Sequence, residues 1–164
     1  MELLDLYDDN GNKIGKTVER GKNFNEGNIM LALSFIKNSS DEYLIQKTSK
    51  EKGSKYSLTG GHVVHNEQAL PTIIREIEEE LGLLVNENDI EFISLDKLPD
   101  KPALFNVFLV NKDININDLK LQKEEVESVL FLTKEQVLDL IDNNLFHESH
   151  AYFFKKYIDK GMIK

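Results

Sequence analysis

The stretch from Gly61 to Leu83, GHVVHNEQALPTIIREIEEELGL, constrains this chain more than any other part of it. Gln68 or Ala69 can open a helix there. Pro71 then falls in the first turn, where a missing N–H costs little. Gly82 sits where a helix stops, because glycine takes the left-handed cap conformation without penalty. Between them Leu70, Ile73, Ile74, Ile77 and Leu81 recur at helical spacing. At about 100° per residue they form one apolar stripe, which predicts a helix packed on a core.

Glu76, Glu79 and Glu80 stand at i, i+3 and i+4, so they share a flank beside that stripe, with Glu78 on the opposite flank. The crowding is locally unfavourable. A like-charge pair such as Glu76 and Glu80 costs about 0.2–0.5 kcal/mol. Glu79 and Glu80 also lie in the last turn, where the helix dipole disfavours anions. A chain that breaks local rules in this way often does so for a site. A divalent cation would remove the repulsion. Oxygen donors suit Mg²⁺ or Mn²⁺, which bind through a few carboxylates and substrate phosphates. An acidic run alone is usually a solvated helix face. What sets this one apart is its surroundings: Gly61-x5-Glu67-x7-Arg75-Glu76-Ile77-x-Glu79-Glu80-x-Gly82-Leu83.

That spacing resembles the Nudix box, with nine defined positions matched over 23 residues. The resemblance implies an α/β/α sandwich with a mixed β-sheet. It also implies a metal-dependent enzyme that hydrolyses a diphosphate linked to an organic group X. Glu76, Glu79 and Glu80 match the family's metal-binding carboxylates, and Glu76 matches a residue that also helps activate water. Gly61 matches a glycine whose carbonyl can ligate the metal. Glu67 and Arg75 match a structural pair tying the loop to the helix, as a rigid guanidinium–carboxylate fork would. The family often adds a glutamate beyond the box as a ligand or base. Glu124, Glu125 and Glu127 are the candidates here, and Glu125 is preferred. The box leaves X open among nucleoside diphosphate derivatives, (d)NTPs, nucleotide sugars and non-nucleotide diphosphates. A homodimer is compatible with the family.

The opening LDLYDDNGNKIGKTVERG is similar to the isopentenyl-diphosphate-isomerase-like branch of the same family. Isomerase chemistry in that branch implies a cysteine acid/base partner, and this chain has no cysteine. Hydrolysis is therefore the favoured reading over isomerisation. A non-catalytic ligand sensor on the same scaffold is a third reading, against which the intact glutamate set argues.

Composition narrows the classes further. A chain of 164 residues fits one domain, residues 1–164, with a sizeable core. A net charge of −9 argues against binding driven by nucleic acid or an anionic membrane. An anionic substrate then needs local help from a metal or a basic patch. Without cysteine there are no disulfides or thiolate sites. The acidic start MELLDLYDDN lacks the basic and apolar regions of a signal peptide, so a cytoplasmic protein is expected.

Along the chain, residues 2–7 and 13–20 read as strands around an Asp8–Asn12 turn. Ile29 to Ile36 reads as a buried central strand, and Glu42 to Thr48 as its partner. On the partner, Tyr43, Ile45 and Lys47 point one way and Leu44 and Gln46 the other. Four lysines follow, Lys47, Lys50, Lys52 and Lys55. Lys47 is the preferred phosphate-binding candidate because it ends a strand. Ser57 to Val64 leads into the box. His62 and His65 read as structural, since hard cations prefer oxygen. Asp89 to Leu95, Ala103 to Val110 and Val126 to Leu132 read as strands. The Asp96–Pro102 loop, with Pro99, is a candidate pocket wall. Thr133 and Gln136 form a capping box for a helix. His150 to Ile158 is a last amphipathic helix whose aromatics read as core, with His147 and His150 as capping or surface residues.

Overall fold

A computed structural model describes residues 2–163. Its centre is the strand β3 (Ile29–Lys37), apolar along nearly its whole length and therefore buried on both faces. It runs parallel to β8 (Ala103–Asn111), from Ile29 opposite Ala103 to Lys37 opposite Asn111. β7 (Ile90–Lys97) closes that side antiparallel to β8. A separate hairpin of β1 (Leu3–Tyr7) and β2 (Lys13–Glu19) turns where the Asp8 carboxylate accepts from Asn10 and Asn12 backbone N–H groups.

On its other side β3 meets β4 (Tyr43–Thr48) only at Lys37 and Tyr43. The two then diverge. β4 pairs instead with β9 (Val126–Leu132) and with the short β5 (Tyr56–Ser57). The place beside β3 is taken by β6 (Thr59–His62). The segment that leads into the box is broken at Leu58, between β5 and β6. It crosses the gap between two diverging strands and pairs with each in turn. The split in the sheet opens toward the glutamate helix.

Alternating side chains feed two cores. Leu33, Phe35, Ile45 and Val107 face α3 (Glu148–Phe154), α2 (Lys134–Asp142) and the π-helical turn Lys155–Asp159. Ala32, Ile36, Leu104 and Phe108 face α1 (Ala69–Leu81). The architecture is a mixed sheet with helices on both faces. The expected capping box is present, Gln136 N–H donating to Thr133 Oγ1 at 3.2 Å and Thr133 N–H to Gln136 Oε1 at 2.9 Å. The last helix starts earlier than expected, at Glu148. His147 is its cap, accepting from His150 N–H at 3.4 Å. Among the described residues no helix is long and apolar enough to cross a membrane.

Ile73, Ile77 and Leu81 are the residues by which α1 grips the sheet, and each is 0 % exposed. Ile77→Ala is expected to remove about 2–5 kcal/mol of stability by leaving a cavity there, read as a lower urea midpoint with an unchanged slope.

Candidate active site

Anchoring α1 through Ile73, Ile77 and Leu81 sets where its carboxylates go. Gly82 ends the helix with φ +67°, and its N–H donates to the Glu78 carbonyl. A side chain at Gly82 would strike Lys120 at under 3 Å, so the cap needs glycine twice over.

Arg75 organises the outer half of the site. Its Nε and Nη2 donate to the two oxygens of Glu67 at 3.0 and 2.8 Å. Its Nη1 donates to Glu76 Oε1 at 2.9 Å and Glu79 Oε2 at 3.2 Å. Thr72 Oγ1 donates to Glu67 at 2.6 Å. The Arg75 fork is the first cause of a Glu67 pKa held below the ordinary carboxylate value, with Thr72 and the Val64 amide helping against burial.

Glu80 lies inside, beyond reach of Arg75. Gln46 Nε2 donates to its Oε1 at 3.0 Å, and Gln46 Oε1 in turn accepts from the buried Thr59 hydroxyl. Burial pushes the Glu80 carboxyl up to about 9, reinforced by its hydrogen bond with Glu76 and by the charges of Glu76 and Glu125, with Gln46 opposing. Burial therefore favours the protonated form of Glu80 when no cation is bound.

Gly61 packs against this pair. A Cβ there would lie 2.4 Å from the Glu76 carboxyl carbon, so only glycine lets β6 and the Glu76 side chain approach. Glu125 comes from the loop before β9 and pairs with Lys52 at 3.5 Å. Gly61, Gln46, Glu80 and Glu125 share the wall of one cavity of about 430 Å³. Arg20, Lys52 and Lys101 supply its cations, and His62, His147 and His150 line it too.

The structure brings Gly61, Glu76, Glu80 and Glu125 together, and the Glu67–Arg75 pair is formed. Glu79 departs from its expected place. It points outward to Arg75, half-exposed, instead of joining Glu76 and Glu80. Lys47 is also elsewhere. It pairs with Glu127 at 3.5 Å and sits 5.7 Å from the Tyr56 ring centre. Strand alternation explains this, since Gln46 and Thr48 face the cavity and Lys47 does not. Lys52 from the same lysine run is the one that reaches the cavity. The Asp96–Pro102 loop does form wall, through Leu98 and Lys101. His65 is structural as expected, its Nδ1 2.8 Å from the buried Asp5. His62 is a cavity wall residue, lowered by burial to about 4.

Gln46 and Thr59 are site residues that sequence reasoning missed. The signal was a glutamine on an otherwise apolar strand. Among the described residues no three His, Cys, Asp or Glu side chains are already gathered as a metal site. Glu76 and Glu80 nevertheless fit a hard divalent cation. Their donors are all oxygen, and the proton on Glu80 occupies charge that a cation would supply.

A family model described as NUDIX domain matches residues 30–157. A Listeria monocytogenes protein described as an uncharacterized Nudix hydrolase is 30% identical over 159 residues, spanning 94% of this chain and 91% of its own length. An isopentenyl-diphosphate Delta-isomerase 1 of Photorhabdus laumondii is 29% identical over 95% of this chain and 92% of its own. The crystal structure of DR0079 from Deinococcus radiodurans superposes with a TM-score of 0.81 at 18% identity, covering 96% of this chain and 99% of that one.

The Glu80 proton has a thermodynamic signature. In the unfolded chain this carboxyl ionises near 4.5, and in the folded chain near about 9. Between those values the unfolded state binds fewer protons, so metal-free stability falls as pH rises through that window. Glu80→Gln is expected to flatten this slope in urea titrations. An unchanged slope would show that Glu80 is already ionised in the folded chain.

Proposed function

Because the chain belongs to the Nudix hydrolases, enzymes that act on phosphorus anhydrides, we propose that residues 1–164 act as one catalytic domain that cleaves the diphosphate linkage of a small X-linked diphosphate with Mg²⁺ or Mn²⁺. The observation that carries this is the buried Glu76–Glu80 pair beside Gly61, at a cavity that also carries Arg20, Lys52 and Lys101 on its wall.

A divalent cation bound there would neutralise phosphate oxygens and lower the pKa of a bound water. Glu76 and Glu80 are the residues to hold it, with the backbone of Gly61 alongside. Glu79 stands one turn from them and is available once its contact with Arg75 is given up. The Glu67–Arg75 fork fixes the loop against α1, so that Gly61 and Glu76 keep their spacing. Glu125 stands across the cavity as the candidate to take the proton from water. Lys52, paired with Glu125 at 3.5 Å, holds that carboxylate in place. Gln46 positions Glu80 by donating a hydrogen bond, so it orients the carboxyl without taking part in proton transfer. The Photorhabdus relative favours isomerase chemistry as a second reading, but a chain with no cysteine lacks the acid/base partner that chemistry implies.

Two substitutions test the assignment in a phosphate-release screen over a panel of diphosphates with Mg²⁺. Glu80→Gln is expected to lower kcat by about 10²–10⁴-fold, and undiminished turnover would refute its role. Gly61→Ala should also lower kcat by displacing Glu76. Its cost in thermal stability should be small, because the atoms it strikes end a flexible side chain.

A further inference from the structure

The cavity continues past its histidines. Lys101, His147 and Ser149 line both it and a second hollow of about 670 Å³. That hollow adds Lys55 and Lys155, with Glu148 as the carboxylate on its wall. Among the described residues Lys55, Lys101 and Lys155 enter no ion pair, whereas Lys47, Lys52 and Lys156 each do. Lys55 Nζ is held by the Asn144 carbonyl at 2.6 Å. In a chain of net charge −9, this is positive charge concentrated against the average.

The two histidines add directed donors. His150 Nδ1 accepts from Leu58 N–H at 3.1 Å, and His147 Nδ1 accepts from His150 N–H at 3.4 Å. Each neutral ring must then carry its proton on Nε2. Among the described residues no buried side-chain nitrogen or oxygen lacks a partner. The Nε2 of His150, with no acceptor from the protein, is therefore open to the cavity. Burial first, then Lys101 for His147 and His147 for His150, keeps both rings below the ordinary histidine value. The Phe105 ring on the inner wall is only 3% exposed, so it presents no face for stacking a flat group.

The geometry points to a second anion subsite at this end of the cleft, where Lys55, Lys101, Lys155 and the Nε2–H donors of His147 and His150 take a phosphate or carboxylate carried by X. The substrate class is then a diphosphate whose X group bears a further anionic group. The identity of X rests on the hydrolase reading, and binding of the anion does not.

The test begins with the full chain carrying Glu80→Gln, without metal. Inorganic phosphate is titrated while the ring C–H resonances of His147 and His150 are followed by NMR, with acetate as a parallel titrant. Phosphate is expected to move both rings. Lys55→Ala with Lys155→Ala, both exposed positions that line only the second hollow, should raise the apparent Kd about tenfold. An equal response to acetate assigns a general anion site, and a response to phosphate alone assigns a phosphate site. If neither ring moves, or the double variant binds as before, the subsite is refuted. With Glu80 and Mg²⁺ restored, the double variant should raise KM for a diphosphate whose X group carries a further phosphate and leave unchanged that for the same diphosphate without it. Equal changes on both would detach the subsite from X. A parent chain inert on every diphosphate would refute the hydrolase reading, and the phosphate titration would still judge the subsite.

Discussion

The buried carboxyl of Glu80 is the constraint on which the rest of the site depends. An ionised carboxylate at that depth, without a cation, costs far more than a fold of this size can spare. The chain meets the constraint in two ways. Glu80 keeps its proton, and Gln46 and Thr59 complete its hydrogen bonding from the strand side. Arg75, one turn earlier on the outer flank, satisfies Glu67, Glu76 and Glu79 as charged groups. The carboxylates of α1 are thereby divided into a compensated outer set and a neutral inner one. Glu76 belongs to both, touching Arg75 on one side and Glu80 on the other. A divalent cation bound at that junction would take over from the Glu80 proton the role of offsetting buried charge, so its binding would release that proton.

The sheet supplies the space. A regular hairpin of β3 and β4 would bury Gln46 against β3 and leave no opening. The two strands instead part after Lys37 and Tyr43, and β6 fills only the near side of the gap. Gln46 and Thr48 then face the cleft from β4, while Gly60 and Gly61 bring the β6 backbone close under α1. The same divergence sends β4 to pair with β9, which carries the preceding loop and Glu125 to the far wall. One departure from regular pairing thus positions residues from three separate parts of the chain.

Periodic features were legible in the sequence because they are local. The span of α1, its buried stripe, the Gly82 stop and the Thr133 capping box all follow from residues a few positions apart. The Glu67–Arg75 fork was legible only through resemblance to a known motif. What could not be read was set by distant pairing. Gln46 meets Glu80 across 34 positions, and His150 meets Leu58 across 92. Lys47 shows how sharp that limit is. The strand was read correctly, but which of its faces lines a cleft depends on a sheet split that neither periodicity nor propensity encodes. Glu79 takes its metal-free position for a nearer reason. Its i,i+4 partner Arg75 is within reach and holds it on the outer flank.

Charge distribution links the fold to the chemistry proposed for it. An acidic chain repels an anionic substrate at long range, but salt confines that repulsion to about 8 Å. Within that distance the local side chains decide. Arg20, Lys52 and Lys101 stand on the cavity wall, and Lys55 and Lys155 beyond it. Glu76, Glu79 and Glu80 of α1 lie at the opposite end, the first two paired with Arg75 and the last favouring its protonated form. An elongated anion entering this cleft meets cations along its outer length and a cation-requiring pocket at its inner end. On the proposed reading the two ends would not be interchangeable, because the inner pocket would attract phosphate oxygens only through a bound cation. Orientation of the bound molecule would therefore be enforced by electrostatics before any contact specific to X is made.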